Sequence, residues 1–394
     1  MIKATLQYCA TDKEIFDALM SAKQKIGEKV LLELAKDRGI FYSPKDTRED
    51  LVSTISLLPH DFHDLNTLLE QREHSGRQEK LTSVTLPVAL TVDEIKEVIK
   101  EYTADSPADE RVTYHAKGTD QVIVNVKYSE VDYGKTRLVQ RTPREAGIEF
   151  HVEAGKTVVR MPSNDRIKGV FNKLKDRLDS KKKTEIPTIR IEIGEFKSPA
   201  IRTEFFTSLI SNLKDFQLSN VTSVKVEKLR QVQAEEELDL EDDQDTQLAK
   251  QEALELVKNV ALKGETLLAS EEYQSLSKKG FFITSIIWRS KPTVSKPTVS
   301  KSVVSKSVVS KLAIIEFEAA FDEPFLGKGF KYFVRGAYNM VDKEYTKTVR
   351  PVEVEDKAKY LSLIEETAAS TIAALRKKVE AEAATKKQKL GGKS

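Results

Sequence analysis

The spacing of apolar residues changes partway along this chain, and that change restricts the fold more than any other feature. Ile15, Leu19, Ala22 and Ile26 recur at helical spacing, followed by Leu31, Leu34 and Ala35 and then by Leu51, Ile55 and Leu58. From Leu81 the pattern shortens to alternation at Val84, Leu86 and Val88, and again along Gln121 to Tyr128. Helical spacing returns at Val92, Ile95, Val98 and Ile99, and at Ile167, Val170, Phe171, Leu174 and Leu178. A chain that begins all-helical and then mixes both periods predicts an α+β protein. Its expected parts are an N-terminal helical module, a central mixed α/β domain and a C-terminal antiparallel sheet with flanking helices.

Local signals place the boundaries. Thr11 with Glu14 has capping-box spacing, Thr47 with Asp50 repeats it, and Gly39 can end a helix by taking positive φ. These mark a helical domain over residues 1–76, with a further helix expected from Asp64 to Glu73 and a break at Ser75-Gly76. The mixed domain covers 81–230. Within it, strands around Arg137 to Arg141, Ile148 to Val152 and Thr157 to Met161 form a meander that feeds a helix from Ser163 to Leu178. A strand, helix, strand unit follows over Ile189 to Ile193, Thr203 to Leu213 and Val221 to Val226. Residues 231–246 read as an acidic linker, because Ala234 to Thr246 holds eight acids and only Leu238 and Leu240 as sizeable apolar groups. The C-terminal domain spans 247–385. It is expected to hold a helix over Gln247 to Lys263, strands at Phe281 to Trp288, Leu312 to Phe321, Phe330 to Asn339 and Tyr345 to Val349, and a helix from Val354 to Ala383. Residues 386–394 read as a basic tail.

Inside the C-terminal domain, Ser290-Lys-Pro-Thr-Val recurs in near-copies beginning at Ser295, Ser300 and Ser305. Its period of five sends successive valines to opposite faces of a strand, so the repeat builds no continuous apolar face. A hairpin loop over 290–311, grown by repeat expansion, is the expectation.

Cys9 is the only cysteine, which excludes an intramolecular disulfide and a cysteine-rich zinc site. With no apolar run of spanning length, a cytoplasmic protein without a membrane segment is expected. The net charge of +2 rules out a histone-like coat of positive charge, so any nucleic-acid site must be a patch.

Residues 30–58, with their leucines before Arg38-Gly39-Ile40 and the helix start from Thr47 to Val52, resemble the SAP family of helix-extension-helix modules. That resemblance implies DNA binding through phosphate contacts, here by Lys36, Arg38, Lys45 and Arg48, with Arg38 and Arg48 leading. A plain helical hairpin with a wet outer face explains the same residues. A second basic region runs through Lys135, Arg137, Arg141 and Arg144 into the helix bearing Arg166, Lys168, Lys173 and Lys175, with Lys181-Lys182-Lys183 beyond. This stretch has few acids of its own, and it suits a duplex backbone or an ordinary solvated helix.

Other candidates are thinner. Lys328 to Arg335 partly resembles the aromatic RNA-binding strand of RRM domains, yet Lys331 and Arg335 depart from that pattern, and core packing of Phe330, Tyr332 and Val334 accounts for them. Glu195-Phe196-Lys197 has the form of a PD-(D/E)xK nuclease triplet, which would also need an acid such as Asp176 or Asp179. His60 and His63 lack the further ligands of a zinc site.

The sequence therefore predicts a non-catalytic DNA-binding component that needs no cofactor and contacts phosphate backbone, with genome maintenance or defence against foreign DNA as a fitting role and a protein partner on its C-terminal domain. The alternatives are a scaffold subunit and, less favoured, a metal-dependent nuclease. The acidic linker is expected to compete for the basic surfaces, so deleting residues 234–246 should raise DNA affinity at low salt; unchanged affinity would reject that idea.

Overall fold

Capping sets the first elements. In the computed structural model, which describes residues 10–22, 26–43, 45–61, 63–64, 79–135, 137–228, 259–264, 267–293, 313–341 and 344–391, Thr11 and Thr47 open helices α1 (Asp12–Ser21) and α3 (Arg48–Ser56) with complete capping boxes. Helix α2 (Glu28–Asp37) ends where Gly39 takes φ +70°. There the Gly39 N–H donates to Lys36 O and the Ile40 N–H to Ala35 O, each at 2.9 Å, closing a Schellman motif.

The chain continues through β1 (Leu81–Leu86), α4 (Val92–Ala104), β2 (Glu110–Lys117), β3 (Gln121–Val131), β4 (Arg141–Glu153), β5 (Lys156–Pro162) and α5 (Asp165–Lys182). Next come β6 (Ile189–Arg190), α6 (Pro199–Ser211), β7 (Phe216–Lys228), β8 (Asn259–Lys263), α7 (Glu271–Lys278), β9 (Phe281–Pro292), β10 (Ile314–Glu323), β11 (Lys328–Tyr338), β12 (Met340–Val341), β13 (Glu344–Tyr345) and α8 (Val354–Gly391). The fold is α+β. The chain divides into two compact units, residues 1–79 with 86–187, and residues 80–85 with 188–394. Residues 188–230, expected in the central domain, thus belong with the C-terminal part, because β7 runs beside β9 over almost its full length.

In the first unit, β2, β3, β4 and β5 form an antiparallel meander. Along β3, Val122, Val124, Val126 and Tyr128 are buried while their neighbours alternate toward solvent. Helices α4 and α5 pack together over this sheet. The helical module keeps a small core of its own, Ile15, Leu19, Ile26, Leu31, Leu51, Val52 and Ile55 among others, with Tyr42 and Leu138 packed against it.

In the second unit the strand order is β1-β11-β10-β9-β7-β8, antiparallel throughout, with β6 on β1. The core includes Phe205 and Phe206 of α6, Phe321, Phe330, and Trp288 stacked on Phe317 at 5.3 Å. Burial of Leu361, Ile364, Ala368, Ile372 and Leu375 holds α8 in the same core. Phe330, Tyr332 and Val334 are core residues, as the packing explanation required. Arg202, 2% exposed, donates to the carbonyls of Phe196, Pro324 and Phe325, and burial lowers its pKa. Gly327, at φ +64°, lies so close to residues 193–194 that a Cβ would meet Gly194 N at 2.7 Å.

Several expectations need correction. Arg137 to Val139 is a single 3-10 turn, and the expected strand begins only at Arg141. Residues 259–263 form β8 and not the end of the helix expected over Gln247 to Lys263; the rest of that expected helix lies outside the described residues. Pairing beyond β6 ends at Arg190, and the expected strand at Tyr345 to Val349 shrinks to β13. The backbone of residues 386–391, read as a tail, continues α8. The acidic linker and most of the Asp64 to Glu73 helix lie outside the described residues. β9 and β10 are antiparallel neighbours, and the first residues of the repeat, Ser290 to Pro292, extend β9; the rest of the expected loop, from residue 294, lies outside the described residues. Among the described residues, no helix is long and apolar enough to cross a membrane.

Candidate nucleic-acid interface

The cations singled out from the sequence have three different environments. Arg48, the first residue of α3, turns inward. It donates to Ile26 O at 2.6 Å and Leu19 O at 2.9 Å, tying α3 to the end of α1 and the approach to α2. Arg38 caps α2 and pairs with Asp64 at 2.5 Å, while its guanidinium also approaches His60 Nδ1 at 3.4 Å. The two arginines expected to lead phosphate binding therefore hold the module together. Lys36 and Lys45 remain exposed, and among the described residues neither has an ion-pair partner.

The loop between β3 and β4 forms the second environment. Asp132 organises it: the Asp132 N–H donates to Gln140 O at 2.8 Å, and the Asp132 carboxylate accepts from the Gly134 N–H at 3.0 Å and pairs with Lys135 at 3.3 Å. The Gly134 bond and then Lys135 hold that carboxyl below its ordinary pKa. Beyond the turn, Arg137 reaches Glu14 of α1 at 3.4 Å, and Leu138 packs on the module core. The two basic candidates, far apart in sequence, thus meet in one unit. Arg141 is exposed and has no ion-pair partner among the described residues, whereas Arg144 pairs with Glu130 at 2.9 Å.

Helix α5 is the third environment, and its charge is largely neutralised from elsewhere in the chain. Arg166 pairs with Asp109 and with Glu110, whose side chain is 1% exposed; Arg177 pairs with Asp105 at 2.9 Å; Lys181 and Lys182 pair with Glu97 and Glu94 of α4. Lys175 pairs with Asp179 at 2.5 Å. Lys168 is half-buried with a partner of its own, leaving Lys173 as the exposed cation of this set without an ion pair among the described residues. Glu110 also accepts a 2.5 Å hydrogen bond from the Tyr102 hydroxyl; burial and then that carboxylate raise the Tyr102 pKa. The sequence pattern around α5 shows few acids because they arrive from α4 and residues 105–110.

The remaining charged sites are internally paired as well. Glu195 pairs with Arg376 of α8 at 2.7 Å, and Asp179 is taken up by Lys175 and the Ile186 N–H. His60 Nε2 lies 2.7 Å from Ile55 O. No group of three or more His, Cys, Asp or Glu among the described residues could hold a metal ion. On β9, β10 and β11, a ladder that periodicity does not reveal joins Lys80, Glu318, Arg335, Glu316 and Arg289. A bulge opposite Glu316 and Phe317 directs Arg335 to both glutamates. Burial alone would raise the Glu318 pKa, but Lys80 and Arg335 outweigh it and lower it.

The sequence matches no family model and no curated protein.

Proposed function

We propose that this chain is a cytoplasmic, non-catalytic DNA-binding component that grips phosphate backbone through its helical module and the β3–β4 loop. Support comes from the resemblance of residues 30–58 to SAP modules and from the exposure of Lys36, Lys45 and Arg141. The observation that carries the proposal is the seating of Leu138 on the module core beside the Arg137–Glu14 pair, which brings both basic candidates into one unit. Lys135 sits in an exposed pair and the Arg137 side chain is itself exposed, pairings of the kind that contribute little to stability, so each cation can exchange its carboxylate for a phosphate. A role in genome maintenance or defence against foreign DNA fits such a component, with the C-terminal unit contacting a protein partner.

The extensive charge pairing of α5 favours a second reading, a scaffold subunit whose charged surfaces serve its own packing. Binding of the full chain to a blunt DNA duplex across a salt series separates the two. Several phosphate contacts predict a steep fall of affinity with salt. A shallow slope, or no binding at low salt, would favour the scaffold.

A further inference from the structure

The helical module and the β3–β4 loop each carry an aromatic ring that the fold leaves in solvent. Phe41 is 96% exposed and Tyr133 is 84% exposed. Their orientation follows from local structure. Between α2 and α3, Tyr42 is the ring packed on the module core. Phe41, beside it, is left in solvent. Tyr133 stands at the apex of the Asp132 turn, whose backbone is held by the Gln140, Gly134 and Lys135 hydrogen bonds, while Leu138 anchors the far side of the loop in the same module core. Both rings thus project from ordered segments rooted in one small core.

Each ring also has cations near it in sequence: Lys36 and Lys45 flank Phe41, and Lys135, Arg137 and Arg141 follow Tyr133. Acids are present too. Asp46 accepts the Ser43 N–H at 2.9 Å and Asp132 is committed to its own turn, so these two carboxylates serve the local backbone, while Asp37 beside Lys36 stays exposed. Burying either aromatic in the protein core would gain hydrophobic free energy, and the fold forgoes that gain at both positions. Exposed rings interleaved with cations suit a strand whose bases are unpaired, since every base offers a π-face and every nucleotide a phosphate. A blunt duplex offers those faces only at its ends.

From these features we infer that Phe41 and Tyr133 each stack on an unpaired base, with the cations near them in sequence taking the backbone phosphates. This inference rests on the proposed nucleic-acid function and sharpens it: the preferred ligand is a strand end, gap or tail. Neither ring is needed for the core, so replacing them leaves the fold intact.

The test compares binding of the full chain to a blunt duplex, the same duplex with a single-stranded DNA tail, and the same duplex with an RNA tail. A fluorescent base analogue in the tail reports stacking by quenching. The tail is expected to tighten binding about tenfold, with Phe41→Ala and Tyr133→Ala each removing most of the gain and the quenching, and Phe41→Trp retaining them. A gain from one tail alone identifies the sugar of the ligand strand and supports the site equally. If neither tail gives a gain, or the alanine variants bind the tailed duplex that gives the gain as the parent does, the stacking site is wrong while salt-dependent duplex binding still stands. If no nucleic acid binds, both proposals fall.

Discussion

Helix α5 and the helical module with its neighbouring loop carry the same signal in sequence, a run of lysines and arginines beside an apolar stripe, and the fold treats them oppositely. On α5 Arg166, Arg177, Lys181 and Lys182 meet Asp105, Asp109, Glu110, Glu94 and Glu97, so most of the helix's charge is matched within the unit, Lys173 excepted. On the module and loop, Arg38 and Arg48 turn inward, while Lys36, Lys45 and Arg141 stay in solvent. Basic character in sequence therefore separates into architecture and available charge only when the acids delivered by other elements are counted.

The sharpest way to break this contrast is at Arg166. Its removal leaves the buried Glu110 carboxylate with only the Tyr102 hydroxyl, at an expected cost of about 3 kcal/mol in denaturant unfolding and with duplex affinity unchanged. A large loss of affinity at undiminished stability would make α5 a binding surface. Arg48→Ala comes next. It strips hydrogen bonds from two carbonyls, an expected loss of about 2 kcal/mol, whereas Lys45→Ala should leave the unfolding midpoint in place. Equal stability of the two variants would contradict the division between inward and outward cations.

The smallest expected effect is a pH dependence at the α4–α5 contact. The Lys182 hydrogen bond, and then the capping-box bonds with Thr91, lower the Glu94 pKa below its ordinary value of 4.5. A depressed carboxylate stabilises the fold above its unfolded pKa, and that contribution fades as pH falls from about 4.5 through the lower folded value. Lys182→Ala should flatten this part of the acid-unfolding curve; an identical curve in the variant would remove the pair from the account.

Much of the architecture was legible in the residues. Capping pairs at Thr11 and Thr47, the glycine stop at Gly39, and alternation along β3 each determine a local conformation, and local conformation is what periodicity reports. Strand β2 escaped because its outer half, from Tyr114 to Lys117, gives no clear alternation, and it is identified by pairing with β3. The unit boundary near residue 188 escaped for a similar reason: β7 is assigned by its long-range partner β9. At the candidate interface, sequence distance hid the decisive facts. Nothing near Arg48 announces the carbonyls of Leu19 and Ile26, and nothing near Lys182 announces Glu94. Tyr133 and Phe41 were legible as aromatics but not as exposed ones, because exposure depends on what Tyr42 and Leu138 do in the shared core.

The most direct test of the central claim compares salt slopes for duplex binding between two triple variants, Lys36→Ala/Lys45→Ala/Arg141→Ala and Lys175→Ala/Arg177→Ala/Lys182→Ala. The first is expected to lower the slope by about 3, one counterion for each lost phosphate contact, and the second to leave it unchanged. A reduced slope in the α5 variant with a parental slope in the other would contradict that claim.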